Sequence, residues 1–341
     1  MRIREEVWEK RLYIEVIGFV PARCRLQIQS HTEMENRMDR TNKKNANLMN
    51  LIKRVHGVVE NVDIEKHRQS QDHFGVLLGN SRDVITEDVE IPAGYGGGIL
   101  HGEWCYVNRT HMKKYVILYC HGGGYSTGSS LYARTLTTKL AASTSMDVLA
   151  FDYRLAPEHP YPAATQDAMA AWNYLMLLGY GARDVVIAGD SAGGNLALSL
   201  VLRLKSEGRL LPRGLVLMSP WTDLTASGKS HVTKAQIDPV LNAAYLEQMT
   251  ENYAGGQDLK DPYISPLFGE YAGFPPIYIQ VGSNEILQDD AVMLYKKLLK
   301  ANVSVRMDVF KGMWHVFQMS PFKTAYEAMD QNAEFIYDIC R

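Results

Sequence analysis

The sequence predicts an α/β protein built on a mostly parallel sheet with helices on both faces. Three observations predict it. Short strand-like runs alternate with helical patterns through most of the chain. Several of those runs are apolar at consecutive positions, as strands covered on both faces require. One of them, Asp184 to Ala188, leads through Gly189-Asp190-Ser191-Ala192-Gly193 into a helical pattern, a G-x-S-x-G turn between strand and helix.

Taken in order, residues 1–75 differ from the rest. They are rich in charge and Asn, and Leu48, Leu51, Ile52 and Val55 recur at helical spacing. One or two amphipathic helices are expected, with residues 1–45 either a mobile tail or part of a lid. Asp83–Ile91 and His101–Val107 flank the Gly-rich stretch Gly94–Gly98 and predict a hairpin. Buried strands follow at Tyr115–Cys120, Met146–Asp152, Asp184–Ala188, Gly214–Met218, Pro276–Gly282 and Val303–Phe310. Helices are expected at Leu131–Ser143, Ala163–Leu178, Asn195–Leu204, Asp290–Lys300 and Ser320–Ile339. Residues 222–272 break the rhythm. They read as an insertion carrying one helix, Asn242–Tyr253.

Composition narrows the function classes. Lys plus Arg is 36 against 38 for Asp plus Glu, a net charge of −2, so no nucleic-acid or polyphosphate partner is expected. The four cysteines are scattered, without a CxxC or a nearby His cluster, so neither a metal nor a disulfide framework is expected. No run of 18 apolar residues is present, and none is expected to span a membrane. Met1–Lys10 mixes both charge signs and Glu15 interrupts the apolar Leu12–Val20, so no signal peptide and a cytoplasmic location are expected.

A serine hydroxyl becomes a nucleophile only with a base in reach and a group that orients the base. Glycines on either side of Ser191 let the backbone turn sharply and expose the hydroxyl. Of the ten histidines only His231 and His315 follow Ser191. His231 falls in the insertion, whereas His315 follows the last strand, so His315 is the candidate base. The loop after the Ile277–Val281 strand offers Glu285, Asp289 and Asp290 as the acid. Glu285 lies nearest the carboxyl end of the strand, where open α/β sheets place functional groups. Asp289 and Asp290 open the next helix, where an acid is already explained as a cap. A tetrahedral intermediate also needs N–H donors. His121-Gly122-Gly123-Gly124 follows a strand and supplies glycines; with the N–H after the nucleophile, Ala192, it forms the expected oxyanion hole. Tyr125, Trp221 and Phe317 are candidate pocket walls. No cofactor is required. Arg154 and Glu158 are close enough in sequence to pair, in a loop stiffened by Pro157, Pro160 and Pro162.

These segments, with Asp152–Glu158, Gly189–Gly194, Ser265-Pro266-Leu267 and His315, resemble the hormone-sensitive-lipase group of α/β-hydrolases, in its microbial esterase branch with Gly-Asp-Ser-Ala-Gly at the elbow. The resemblance runs from about residue 80 to the end. It implies an eight-stranded α/β-hydrolase core over residues 76–341. It also implies a helical cap, made by an N-terminal segment, residues 1–75, and by residues 222–262. The implied activity is hydrolysis of short-chain carboxylic esters, with Ser191 as nucleophile, His315 as base and Gly122, Gly123 and Ala192 as oxyanion positions. The family's acid is commonly Asp two residues before a Leu. Here Glu285-Ile286-Leu287 puts Glu in that place, and this departure keeps Asp289 open as the alternative. Two other functions share the pattern. An amidase or deacetylase would use the same triad. A small-ligand-binding protein, as in the plant gibberellin receptors that resemble the family, would lack the working His, and His315 argues against it. A homodimer through the Val303–Phe310 strand is a further expectation if that strand lies at the sheet edge.

Overall fold

The computed structural model describes residues 64–78, 83–93, 98–111 and 113–341. The helical spacing at Leu48–Val55, the proposed tail or lid at residues 1–45, Cys24 and most of the Gly94–Gly98 turn lie outside the described residues.

Eight strands form one sheet: β1 (Val84–Pro92), β2 (Ile99–Val107), β3 (Val116–Cys120), β4 (Asp147–Phe151), β5 (Val185–Asp190), β6 (Gly214–Met218), β7 (Ile277–Gly282) and β8 (Val305–Phe310). Their order is β1-β2-β4-β3-β5-β6-β7-β8. β1 and β2 make the expected antiparallel hairpin, β2 joins β4 antiparallel, and every later pairing is parallel. β3 to β7 are buried along their whole length, which explains their unbroken apolar runs. Alternate side chains still divide between two layers. Val116, Leu118, Ile187 and Leu217 face one layer; Ile117, Tyr119, Val186 and Val216 face the other.

Helices cover both faces. α1 (Ile64–Leu78) precedes the sheet, and α2 (Ser130–Thr144) follows β3 with Ser129 capping it by accepting from the Tyr132 N–H. α3 is Ala163–Leu177 and α4 is Ala192–Ser206. Twelve of the fifteen α4 residues are buried, so this helix is enclosed rather than amphipathic. Its Leu196, Leu200 and Leu204 each contribute about 1.5–3 kcal/mol by burial. The insertion after β6 carries the single turn α5 (Ser230–Thr233) and α6 (Ala243–Ala254). Asn242 caps α6 through Tyr245 N, and Gly255, at φ 56°, ends it in the left-handed region. α7 (Gln288–Lys300) and α8 (Lys323–Cys340) complete the fold.

Three differences from the sequence reading have clear causes. α1 runs on to Leu78, across the boundary expected after residue 75, because it docks closely on α2: a Cβ at Gly75 would lie 2.2 Å from the Leu131 carbonyl oxygen. β8 begins at Val305 rather than Val303, since Asn302 (φ 55°) and the Val303 N–H, donating to Leu298 O, close the end of α7. Arg154 does not pair with Glu158. It forks onto the buried carboxylate of Asp167 on α3 (Nη2–Oδ1 2.9 Å). Glu158 instead receives Arg68 of α1, at 2.7 and 3.0 Å, and Arg68 also donates to Ser126 O and Ala156 O. Sequence proximity favoured the wrong partner because α1 could not be placed.

Candidate active site

Ser191 stands at a sharp strand-to-helix corner. Its φ is 53° and ψ −121°, between the end of β5 and the first turn of α4. Holding a non-glycine residue there costs on the order of 1–3 kcal/mol. Neighbouring glycines make the corner feasible. A Cβ at Gly189 would lie 2.5 Å from Gly193 O, and one at Gly193 only 2.0 Å from Cys120 O. The Ser191 N–H donates to Met218 O at 3.0 Å, tying the corner to β6.

His315 comes from the loop between β8 and α8. Its Nε2 lies 2.9 Å from Ser191 Oγ, and its Nδ1 lies 3.2 Å from Glu285 Oε2. With Nδ1 protonated, the ring donates to Glu285 and accepts from the serine. Ser191 and His315 are nearly buried and Glu285 fully so. Burial alone would lower the His315 pKa. The Glu285 hydrogen bond and charge, with the carboxylates of Asp238 and Asp190, outweigh it and raise the value above the ordinary histidine range.

The two other acids of that loop are committed elsewhere. Asp289 Oδ2 accepts from Ser230 N. Asp290 Oδ2 accepts from the Thr222 and Asp223 N–H groups, and its Oδ1 meets His231 Nε2 at 2.9 Å. Thus His231 and both aspartates anchor the insertion to α7, and only Glu285 reaches His315.

The glycine loop is arranged differently from the sequence expectation. Gly122 N donates to Asp190 Oδ1 at 3.0 Å, and a Cβ at Gly122 would strike that same carboxylate. Asp190 also accepts from Tyr119 and Tyr132 hydroxyls. The Gly122 N–H is therefore consumed in holding the loop and is withdrawn as an oxyanion donor. Gly123 and Gly124, at φ 109° and 61°, share a cavity with Ser191 and His315. Gly124, the fourth residue of His-Gly-Gly-Gly, thereby becomes a candidate donor that the sequence does not single out, because sequence alone does not tell which N–H Asp190 takes. Ala192 opens α4 beside the serine, where helix N–H groups lack intrahelical acceptors.

That cavity measures about 1020 Å³. Trp221 lines it, as expected. Tyr125 and Phe317 do not, which corrects their assignment as walls. Tyr125 stacks on Tyr253 with ring centroids 3.6 Å apart and donates its hydroxyl to Asn195, while Phe317 packs under the sheet end against Phe310. The outer wall comes from α1 (Ile64, His67 and Gln71) and from the 235–252 stretch around α6. Among the described lining residues the wall carries one carboxylate, Asp238, and neither lysine nor arginine.

Two residues that sequence reading passed over bind this arrangement together. Ser219, just after β6 at φ 50°, donates to Glu285 Oε1 and accepts from Val316 N. Asp238, in the insertion, accepts from the backbone of the acid loop. A serine at the end of a central strand, and an Asp-Pro pair opposite the acid loop, were the only signals available. Among the described residues no group of His, Cys, Asp and Glu could hold a metal ion, and no helix is long and apolar enough to cross a membrane.

A strained serine at a strand–helix corner, backed by histidine and a carboxylate in that chain order, defines a serine hydrolase of the nucleophile-elbow type. The sequence profile of the alpha/beta hydrolase fold matches residues 117–319. An esterase of Acinetobacter venetianus is 42% identical over 224 residues, covering 64% of this chain and 74% of that protein. An acetyl-hydrolase of Streptomyces hygroscopicus is 38% identical over 261 residues, covering 75% and 83%. Among solved structures, a hormone-sensitive lipase from a metagenome library superposes with a TM-score of 0.82 at 33% identity, over 87% of this chain and 98% of that one. An esterase from the bacterial hormone-sensitive lipase family gives 0.79 at 31%, over 86% and 97%. The chain belongs to the α/β-hydrolase family, in its hormone-sensitive-lipase group.

Proposed function

We propose that this protein is a serine carboxylesterase acting on small, short-chain esters through an acyl-enzyme on Ser191. One observation carries the reading: the 2.9 Å contact of Ser191 Oγ with His315 Nε2, with Glu285 behind the ring and Gly123 and Gly124 in the same cavity. In this reading His315 takes the Ser191 proton as Oγ attacks the ester carbonyl. The oxyanion is received by the N–H groups of Gly123, Gly124 and Ala192. His315 then passes the proton to the departing alcohol. Water, deprotonated by His315, attacks the acyl-enzyme and releases the carboxylic acid. Glu285 fixes the imidazole tautomer and balances the imidazolium.

The N-terminal segment, residues 1–75, and residues 222–262 are proposed as the cap over the 76–341 catalytic domain. The positions of α1 and α6 on the cavity wall support this. A homodimer through β8 is supported by that strand pairing, among the described residues, with β7 alone. Cytoplasmic location is supported by the free thiols of Cys105, Cys120 and Cys340.

The test is turnover of p-nitrophenyl acetate and butyrate by the parent and by Ser191→Ala. Activity in the parent that drops at least about 10³-fold in the variant is expected. No turnover in the parent, or equal turnover in both, overturns the reading.

A further inference from the structure

Asp238 is an odd residue for the wall of an esterase cavity. It is 3% exposed, belongs to the insertion rather than to the sheet, and lines the same cavity as Ser191 and His315. Both its oxygens accept from backbone donors. Oδ1 accepts from Val240 N at 2.8 Å and Leu241 N at 3.0 Å, which closes the turn leading to α6. Oδ2 accepts from Ile286 N at 2.8 Å, and Ile286 directly follows Glu285. One carboxylate therefore joins the turn below α6 to the loop that carries the triad acid.

We propose that Asp238 is a positioning residue through which the insertion holds the triad: it fixes the Glu285 loop through the Ile286 N–H and adds a further negative charge to the cavity that His315 lines. The proposal rests on the esterase reading of the site. A hydrogen bond from an amide N–H to a buried carboxylate is worth more than one between neutral groups. Locking Ile286 N thus restrains the residue next to Glu285, whose own carboxylate must stay aligned with His315 Nδ1. The charge acts as well. Three carboxylates bear on the imidazole: Glu285 by contact, Asp190 from the β5 end and Asp238 from the insertion. Burial pushes the Asp238 carboxyl above its usual range, while the His315 charge and its three N–H donors pull it down. When His315 holds the serine proton, Asp238 stabilises that cation without touching it. If the insertion shifts, the acid loop and the charge shift together.

Asp238→Asn separates this from a merely structural role. The amide keeps the shape but puts an NH₂ against one set of N–H donors and removes the charge. We expect kcat on p-nitrophenyl acetate to fall by roughly tenfold or more, with KM changing less than threefold. We also expect the acid limb of the pH–rate profile to move down by about half a pH unit. Asp238→Glu, which retains the charge, restores the limb, and Leu210→Ser, on an exposed residue away from the cavity, leaves rate and limb unchanged. Circular dichroism and melting verify folding. The His315 imidazole is titrated by NMR in parallel, so that the result does not depend on turnover. A lower His315 pKa in Asp238→Asn supports the proposal even if the parent hydrolyses no ester, an outcome that would overturn only the esterase reading. An unchanged His315 pKa with an unchanged kcat overturns the proposal.

Discussion

Ser219 donates its hydroxyl hydrogen to Glu285 Oε1 at 2.7 Å and accepts the Val316 N–H at 3.1 Å. It thereby clamps the triad acid to the residue following the triad base. Ser219→Ala removes a hydrogen bond to a charged group, worth about 1.5–3 kcal/mol. We predict a kcat loss of roughly 10- to 100-fold with little change in KM, measured on p-nitrophenyl butyrate. Unchanged kcat would show that Gly282 N alone, also a donor to Glu285, holds the carboxylate.

The pH dependence follows from the raised His315 pKa. Only neutral imidazole can take the serine proton, so kcat/KM is lost as pH falls through that value. The acid-side inflection is therefore expected above the ordinary histidine range. In Glu285→Gln it moves to lower pH, because burial then acts with less opposition. The linkage to stability has the matching sign. A histidine whose pKa is raised by folding contributes stability at pH below its unfolded value, lost as pH rises through the folded one. An inflection that stays put in Glu285→Gln would refute the assignment of Glu285 as the acid.

The corner itself should tolerate no side chain at residue 193. A methyl there meets Cys120 O at 2.0 Å and His121 O at 2.4 Å, both backbone atoms on the strand end that leads into the glycine loop. Gly193→Ala is predicted to lose more than about 100-fold in activity and to melt clearly lower, since neither backbone can yield cheaply. A folded, active Gly193→Ala would mean the corner can widen.

The Arg68–Glu158 pair anchors α1. Arg68 holds the Glu158 carboxyl down to about 2, so the pairing contributes above the ordinary carboxylate range and is lost as pH falls towards that value. Glu158 is half exposed, so solvent screening limits the ion pair itself to well under about 1 kcal/mol. The two carbonyls that Arg68 also binds make it the stronger test. In Arg68→Ala, amide exchange over 64–78 is expected to accelerate while that of β5 and β6 stays unchanged. Equal protection in both proteins would locate the anchor elsewhere, for example in the Ser129–Asp72 hydrogen bond.

What the sequence made legible follows a physical divide. The strands β3 to β7 could be read because burial on both faces forces apolar residues at every position. The elbow could be read because a corner that tight accepts only glycine at 189 and 193. Choices between similar groups were less visible. That Asp190 takes the Gly122 N–H, moving the candidate donors to Gly123 and Gly124, is decided by a carboxylate one residue from the serine. That Glu158 meets Arg68 rather than Arg154 depends on a helix whose own residues carry little apolar signal. Ser219 and Asp238 act on Glu285 through side chain and backbone contacts 66 and 48 residues apart, which no local pattern encodes.

The cavity wall carries Asp238 and, among its described residues, neither lysine nor arginine. A neutral ester enters such a space without electrostatic cost. The reaction, however, converts that neutral guest into an anion, because a carboxylic acid is ionised at neutral pH. Once His315 is neutral again, the product faces the like charge of Asp238 and, among the described lining residues, no lysine or arginine. Hydrolysis thus changes the tenant's charge so that the room rejects it, and acetate is expected to be a poor inhibitor of ester turnover.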